Sequence, residues 1–137
     1  MANNFNLQIV TPSAMFFDDE ADMLIVRTSE GDIGIMANHE PLVAPIRVSR
    51  LRIKIGDSYR SAAVSNGFMT VMPDKVTIVT DACEWAENID MNRAEKAKQR
   101  AEDLLRKQDH EVDVVRAKSA LLRASNRIDV HDFHHDK

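Results

Sequence analysis

Between Asn6 and Thr11, Leu7 and Ile9 alternate with Gln8 and Val10, and Pro12 ends the run. Apolar residues at every second position mark a half-buried strand. Met23-Leu24-Ile25-Val26 is a short continuous apolar run, which predicts a strand buried on both sides. Ser29-Glu30-Gly31-Asp32 then supplies a turn, and Ile33-Gly34-Ile35-Met36 resumes. From Ser49 to Ile55 the alternation is clean, with Leu51, Ile53 and Ile55 inward and Arg50, Arg52 and Lys54 outward. Gly56-Asp57-Ser58, Asn66-Gly67 and Pro73-Asp74-Lys75 separate three further runs, Tyr59–Val64, Phe68–Met72 and Val76–Thr80. Short strands at this spacing, joined by turn residues, predict an antiparallel sandwich or barrel.

After residue 86 the period changes. Asp90 is placed to cap a helix, because its carboxylate can accept from the free N–H groups of a first turn. Ala94, Ala97, Ala101, Leu104 and Leu105 follow at spacings of three and four. Beyond Gln108-Asp109-His110, Val114, Ala117, Leu121, Ala124 and Ile128 repeat the pattern. Two helices joined by a short polar turn form an αα-hairpin. Its seam is mainly alanine, and at ~0.8 kcal/mol per buried methyl the seam contributes only about 5 kcal/mol. Helices of this length are marginal alone in water, so the hairpin needs a neighbour or a ligand and suits two arrangements.

Composition sharpens this division. All four glycines and all four prolines of the 137 residues lie before residue 74. Residues 1–85 carry 7 basic and 11 acidic side chains, whereas the shorter stretch 86–137 carries 11 of each. The expected organisation is therefore α+β, mainly β: an N-terminal antiparallel β-sandwich over residues 1–86 and a C-terminal antiparallel two-helix hairpin over 87–137. A net charge of −4 argues against nucleic acid as a partner. No run approaches the roughly 18 apolar residues of a membrane span, and Met1–Asn6 reads as no export signal. Cys83 is the sole cysteine, which rules out a disulfide framework and fits a reducing compartment.

Self-contained catalysis has no signature here: Gly-x-Ser-x-Gly and a Gly-Lys-Ser/Thr phosphate loop are both missing. Cys83 reads as a small buried hydrophobe or a nucleophile. Asp18, Asp19, Glu20 and Asp22 read as a solvated acidic turn, and with His39 as the material of a metal-dependent enzyme. No Asp-x-Asp-x-Asp-Gly spacing supports the metal. His39 has no Ser, Cys or orienting acid beside it and reads as a loop histidine that caps backbone groups. His131, His134 and His135 suggest weak metal capture or a frayed polar tail. Arginines give the more informative pattern. Arg93 and Arg100 share one face of the first helix, and Arg116, Arg123 and Arg127 one face of the second. Guanidinium forks converging on one place would suit phosphate oxygens; the alternative is a solvated face paired with Glu95, Glu102 or Asp113.

Several segments together resemble the epsilon subunit of bacterial F-type ATP synthase. They are Glu30-Gly31-Asp32-Ile33-Gly34-Ile35, His39-Glu40-Pro41-Leu42, Ser65-Asn66-Gly67-Phe68, Val76-Thr77-Ile78 after Pro73-Asp74, and the stretch from Ala86 to Ala101. The resemblance implies a non-catalytic rotor subunit at the cytoplasmic face of the bacterial cell membrane, with no direct membrane insertion. Its implied partners are the gamma subunit and the c-subunit ring, met through the segments holding Gly31, Gly34, His39 and Pro41. It also implies a mobile hairpin, compact or extended into the alpha/beta hexamer, that opposes ATP hydrolysis. Ile89-Asp90-Met91-Asn92-Arg93-Ala94 is similar to the family's nucleotide-binding pattern. Carried over, Glu84, Ile89, Asp90 and Ala94 would surround adenine, Arg93 would support the site, and Arg100, Arg123 and Arg127 would face phosphate. Trp85 beside this segment would crowd the base or stack on it. No cofactor is required on this reading, and ATP is a regulatory ligand. A stand-alone ATP-binding sensor without catalysis is the alternative.

Overall fold

The computed structural model describes residues 3–107 and 111–135. The chain divides into two compact units, Met1–Trp85 and Ala86–Lys137.

Ten strands make the first unit: β1 (Phe5–Val10), β2 (Met15–Ala21), β3 (Met23–Thr28), β4 (Gly31–Ile35), β5 (Leu42–Ile46), β6 (Ser49–Ile55), β7 (Ser58–Val64), β8 (Gly67–Val71), β9 (Lys75–Thr80) and β10 (Cys83–Trp85). Their order is β10-β7-β6-β3-β5-β8-β9-β1-β2, with β4 on β3. The two halves of this path meet through one residue pair, Thr28↔Ile46, and enclose a common core. Phe5, Leu7, Ile9, Leu24, Ile35, Leu51, Ile53, Met69, Val71 and Ile78 are its large members. The sandwich is antiparallel except where β1 lies parallel to β9, because the first strand inserts between β2 and β9.

Alternation placed most inward residues correctly, with three instructive differences. β3 buries Leu24, Val26 and Thr28 but not its other face. Met23 and Ile25 lie opposite Lys54 and Arg52 on β6, whose aliphatic stems cover them while the charges stay in water. Ile55 is 43% exposed rather than inward, since the chain turns at once through Gly56 with φ +63°. The acidic stretch is strand β2, paired with β1 from Phe5↔Ala21 to Val10↔Met15; its charges protect the edge of the sheet.

The second unit opens with a 3₁₀ turn, Ala86–Asn88, followed by α1 (Met91–Lys107) and α2 (Glu111–His135). Asp90 is the cap: its Oδ1 accepts the Arg93 N–H at 3.1 Å, and its carbonyl accepts that of Ala94 at 3.0 Å. The helices pack on each other. Their buried residues are Ala94 and Ala101 on α1 and Ala117, Ala124 and Val130 on α2. Leu104, expected in the seam, is 49% exposed. The expected turn at 108–110 lies outside the described residues. His131 and His134 belong to α2 rather than to a frayed tail, and the helix runs on to His135; no glycine or proline is present to stop it.

Candidate functional site

Of the residues assigned to nucleotide, Glu84 lies in β10 of the first unit, and the other seven lie in the second. Arg93 and Arg100 each precede a buried alanine of α1 by one residue, and Arg116 and Arg123 do the same on α2. In an antiparallel pair, the flank one residue before the buried stripe falls on the same side of both helices. Arg93, Arg100, Arg116, Arg123 and Arg127 therefore line one side of the hairpin. Arg93, Arg100 and Arg123 are exposed. Among the described residues, Arg100 and Arg123 have no ion-pair partner, so the expected pairing with Glu95 or Glu102 does not occur there; Asp113 lies where side chains are not described. At the head of the flank, Ile89 and Ala94 are buried, and the Asp90 carboxylate is exposed.

The four residues assigned to protein partners are split between strand β4, which holds Gly31 and Gly34, and the loop after it, which holds His39 and Pro41. Gly31 adopts φ +115° as β4 begins, where its carbonyl accepts from the Thr28 hydroxyl at 2.9 Å. Gly34 pairs with Ile25, and a Cβ there would meet nothing within 4 Å. His39 Nδ1 lies 2.7 Å from the Glu40 carbonyl oxygen. A carbonyl only accepts, so Nδ1 carries the proton and His39 does cap backbone. The neighbouring Asn38 (φ +63°) donates its N–H to the Pro73 carbonyl at 2.8 Å. Pro41 is exposed beside them.

A second surface escaped the sequence reading. The pairs Pro45↔Phe68, Phe68↔Val79, Val10↔Val79 and Val10↔Met15 run straight across β5, β8, β9, β1 and β2. All five face away from the core. Phe68 is 63% exposed, Val79 56% and Met15 49%. An open groove of about 430 Å³ beside this row is lined by Val10, Pro12, Gly67, Phe68 and Val79. Val10, Phe68 and Val79 lie in strands that the sequence predicts and Met15 and Pro45 in strands that it conceals, and only the register gathers the five.

Burial pushes the Cys83 thiol up to about 12, so at neutral pH it is a thiol and not a nucleophile. The acids of β2 and the adjoining Asp22 accept separate bonds. Asp18 accepts from Asn6 and Gln8, Asp19 from the Glu20 N–H, and Asp22 from the Gly56 N–H at 2.6 Å. Among the described residues, no three acids, histidines or cysteines are grouped to hold a metal. The Trp85 ring lies among Phe16, Phe17 and Arg60 of its own unit. No helix among the described residues is long and apolar enough to cross a membrane.

Comparison with known proteins matches two successive stretches of the chain to two family models. Residues 4–86 match the family model described as ATP synthase, Delta/Epsilon chain, beta-sandwich domain, and 87–132 the one described as ATP synthase, Delta/Epsilon chain, long alpha-helix domain. The chain is 49% identical over 128 residues to the ATP synthase epsilon chain of Alkaliphilus metalliredigens, covering 93% of this chain and 96% of that one. It is 47% identical over 124 residues to the epsilon chain of Bacillus velezensis, covering 90% and 94%. Its fold resembles a chain in the Euglena gracilis mitochondrial ATP synthase (OSCP/F1/c-ring) with TM-score 0.80 at 22% identity, covering 92% of this chain and 80% of that one.

Proposed function

The chain belongs to the ATP synthase delta/epsilon chain family, and from that premise we propose that it serves as a rotor subunit whose two units divide the work. The first unit binds gamma and the c-ring and so helps couple ion flow to ATP synthesis, peripheral to the membrane. The second regulates, opposing ATP hydrolysis in one arrangement and releasing it in another. The observation that carries the reading is the match of both units, in order, to the two domains of the family.

Gly34 and the apolar row support the first assignment. A glycine in a strand that nothing inside the fold requires suits the close approach of another chain. A row of apolar side chains held in water across five strands suits a partner surface. We assign gamma to the row and the c-ring to the end of the sandwich that carries Gly31, Gly34, His39 and Pro41.

The arginine flank supports the second. Helical side chains lean toward the N-terminus of their own helix. Arg100 on α1 thus leans toward the start of the hairpin, while Arg123 and Arg127 on α2 lean toward its connection, so these three converge. Arg93 leans away from them toward Asp90, and Arg116 away toward the connection. Three guanidiniums drawn from two helices repel one another and accept a polyphosphate that bridges them. The cap bond occupies Oδ1 of Asp90, and Oδ2 remains to accept an exocyclic amine of adenine. ATP so placed holds α1 to α2. In its absence α2 has something else to offer: Val115, Leu122 and Phe133 are 62%, 55% and 38% exposed and lie opposite its alanine face, a second apolar stripe suited to a partner.

Calorimetric titration of the pure chain with MgATP tests the site. Binding without turnover is expected, and Arg123→Ala with Arg127→Ala should weaken it at least roughly tenfold. No heat from the intact chain, or equal binding by the double variant, removes the site. The inhibitory role is tested in the assembled synthase: deletion of residues 88–137 should leave synthesis largely intact and raise hydrolysis, and an unchanged hydrolysis rate ends that assignment.

A further inference from the structure

β10 is three residues long and stands at one end of the strand order, paired only with β7 through Cys83↔Val64, Glu84↔Ala63 and Trp85↔Ala62. So short an edge strand would fray if its ladder were all that held it. Its last side chain supplies the rest. The Trp85 ring centroid lies 4.6 Å from that of Phe16, tilted by 36°, and 5.9 Å from that of Phe17, edge-on at 75°. The Arg60 guanidinium carbon sits 3.6 Å from the centroid of the indole, within cation–π range. Phe16 and Phe17 belong to β2, the opposite end of the strand order, and Arg60 to β7. One residue thus bridges the two end strands of the sandwich where backbone hydrogen bonds do not, and the next residue, Ala86, begins the second unit.

We propose that Trp85 is a closing pin: its stack between β10 and β2 holds the end of the first unit in place, so that any movement of the second unit pivots after Trp85 and leaves Glu84 fixed. The inference rests on the reading above in one respect, that the second unit moves. Trp85 is the sole tryptophan, so its fluorescence is a direct probe of the stack.

Hydrogen exchange followed by NMR on the full chain tests this, with and without MgATP. In the native protein, with or without MgATP, the amides of 83–85 should exchange together with those of 62–64 and not with those of α1 and α2. In Trp85→Ala, protection at 83–85 should fall at least tenfold while the amides of β1, β8 and β9 keep theirs; Trp85→Phe should restore most of it. If Trp85→Ala unfolds the whole unit, Arg60→Ala removes the cation–π contact while leaving the aromatic stack, and should give a local loss at 83–85 with a shifted tryptophan emission. Exchange of 83–85 in step with the helices, or unchanged protection in both variants, overturns the pin. A helical unit whose amides ignore MgATP instead overturns the nucleotide reading, while the contrast among variants still decides the pin.

Discussion

At Gly67 and Gly34 the same small residue answers to opposite demands. A Cβ at Gly67 would lie 2.1 Å from the Val79 carbonyl oxygen and 2.8 Å from the Thr80 Cα, both rigid backbone of the facing strand. The strands are held that close partly by the Thr80 hydroxyl, which lies 3.1 Å and 3.0 Å from the carbonyls of Ser65 and Asn66. Gly67→Ala should therefore cost about 3 kcal/mol, read as a lower urea midpoint at unchanged slope. Gly34→Ala has open space and should leave the isolated chain as stable or slightly more so, yet weaken its capture by a c-ring preparation. Loss of stability at Gly34, or none at Gly67, contradicts these assignments. Cys83 gives a pH test. Its folded-state value, about 12, lies above the 9.0 of an ordinary thiol, so the folded chain retains a proton that the unfolded chain gives up. This contribution is whole below about pH 9 and is lost as pH rises toward 12, at about 1.4 kcal/mol per unit. Subtracting the alkaline stability curve of Cys83→Ala from that of the native chain should expose the slope; parallel curves would show that the thiol is not desolvated.

Among the elements, the cap of α1 is the simplest to weigh. Asp90→Ala removes the acceptor of the Arg93 N–H and should lower stability by about 1 kcal/mol, concentrated in the helical unit when unfolding is followed by circular dichroism at 222 nm. Asp90→Asn keeps an acceptor and should recover most of it, although it replaces a charge proposed for nucleotide. This cap was legible because one residue type before an alanine-rich period has one local explanation. So was every strand whose alternation was strict, such as β1 and β6. Three strands were not legible, each for its own reason. The acids of β2 conceal a strand because an edge needs only one buried anchor, here Ala21. Pro41 and Pro45 conceal β5, which touches β3 through a single pair and so behaves nearly as an edge, where proline is tolerated. β10 is too short for any period. The face shared by the arginines was readable on each helix, but the side of the hairpin to which the two faces turn depends on packing.

At the scale of the molecule, two recognition surfaces of different physics can be separated by salt. The buried core of the first unit draws on residues 5–78, with Cys83 and Trp85 of the same unit packed against it, so substitutions on its outer row and changes in the helices should act independently. Phe68→Asp with Val79→Asp places charges on side chains that are already more than half exposed. The fold should survive, and capture by gamma should fail, while MgATP binding is untouched. Arg123→Ala with Arg127→Ala should do the reverse. Ionic strength then discriminates within the native chain. The arginine flank works through charge, which is screened over about 10 Å at 0.1 M salt and about 3 Å at 1 M, so MgATP affinity should fall steeply across that range. The row works by removing apolar surface from water, which salt does not weaken, so capture by gamma should hold. Gamma capture that collapses with salt alongside nucleotide binding would mean that charged groups, and not Phe68 and Val79, carry the docking.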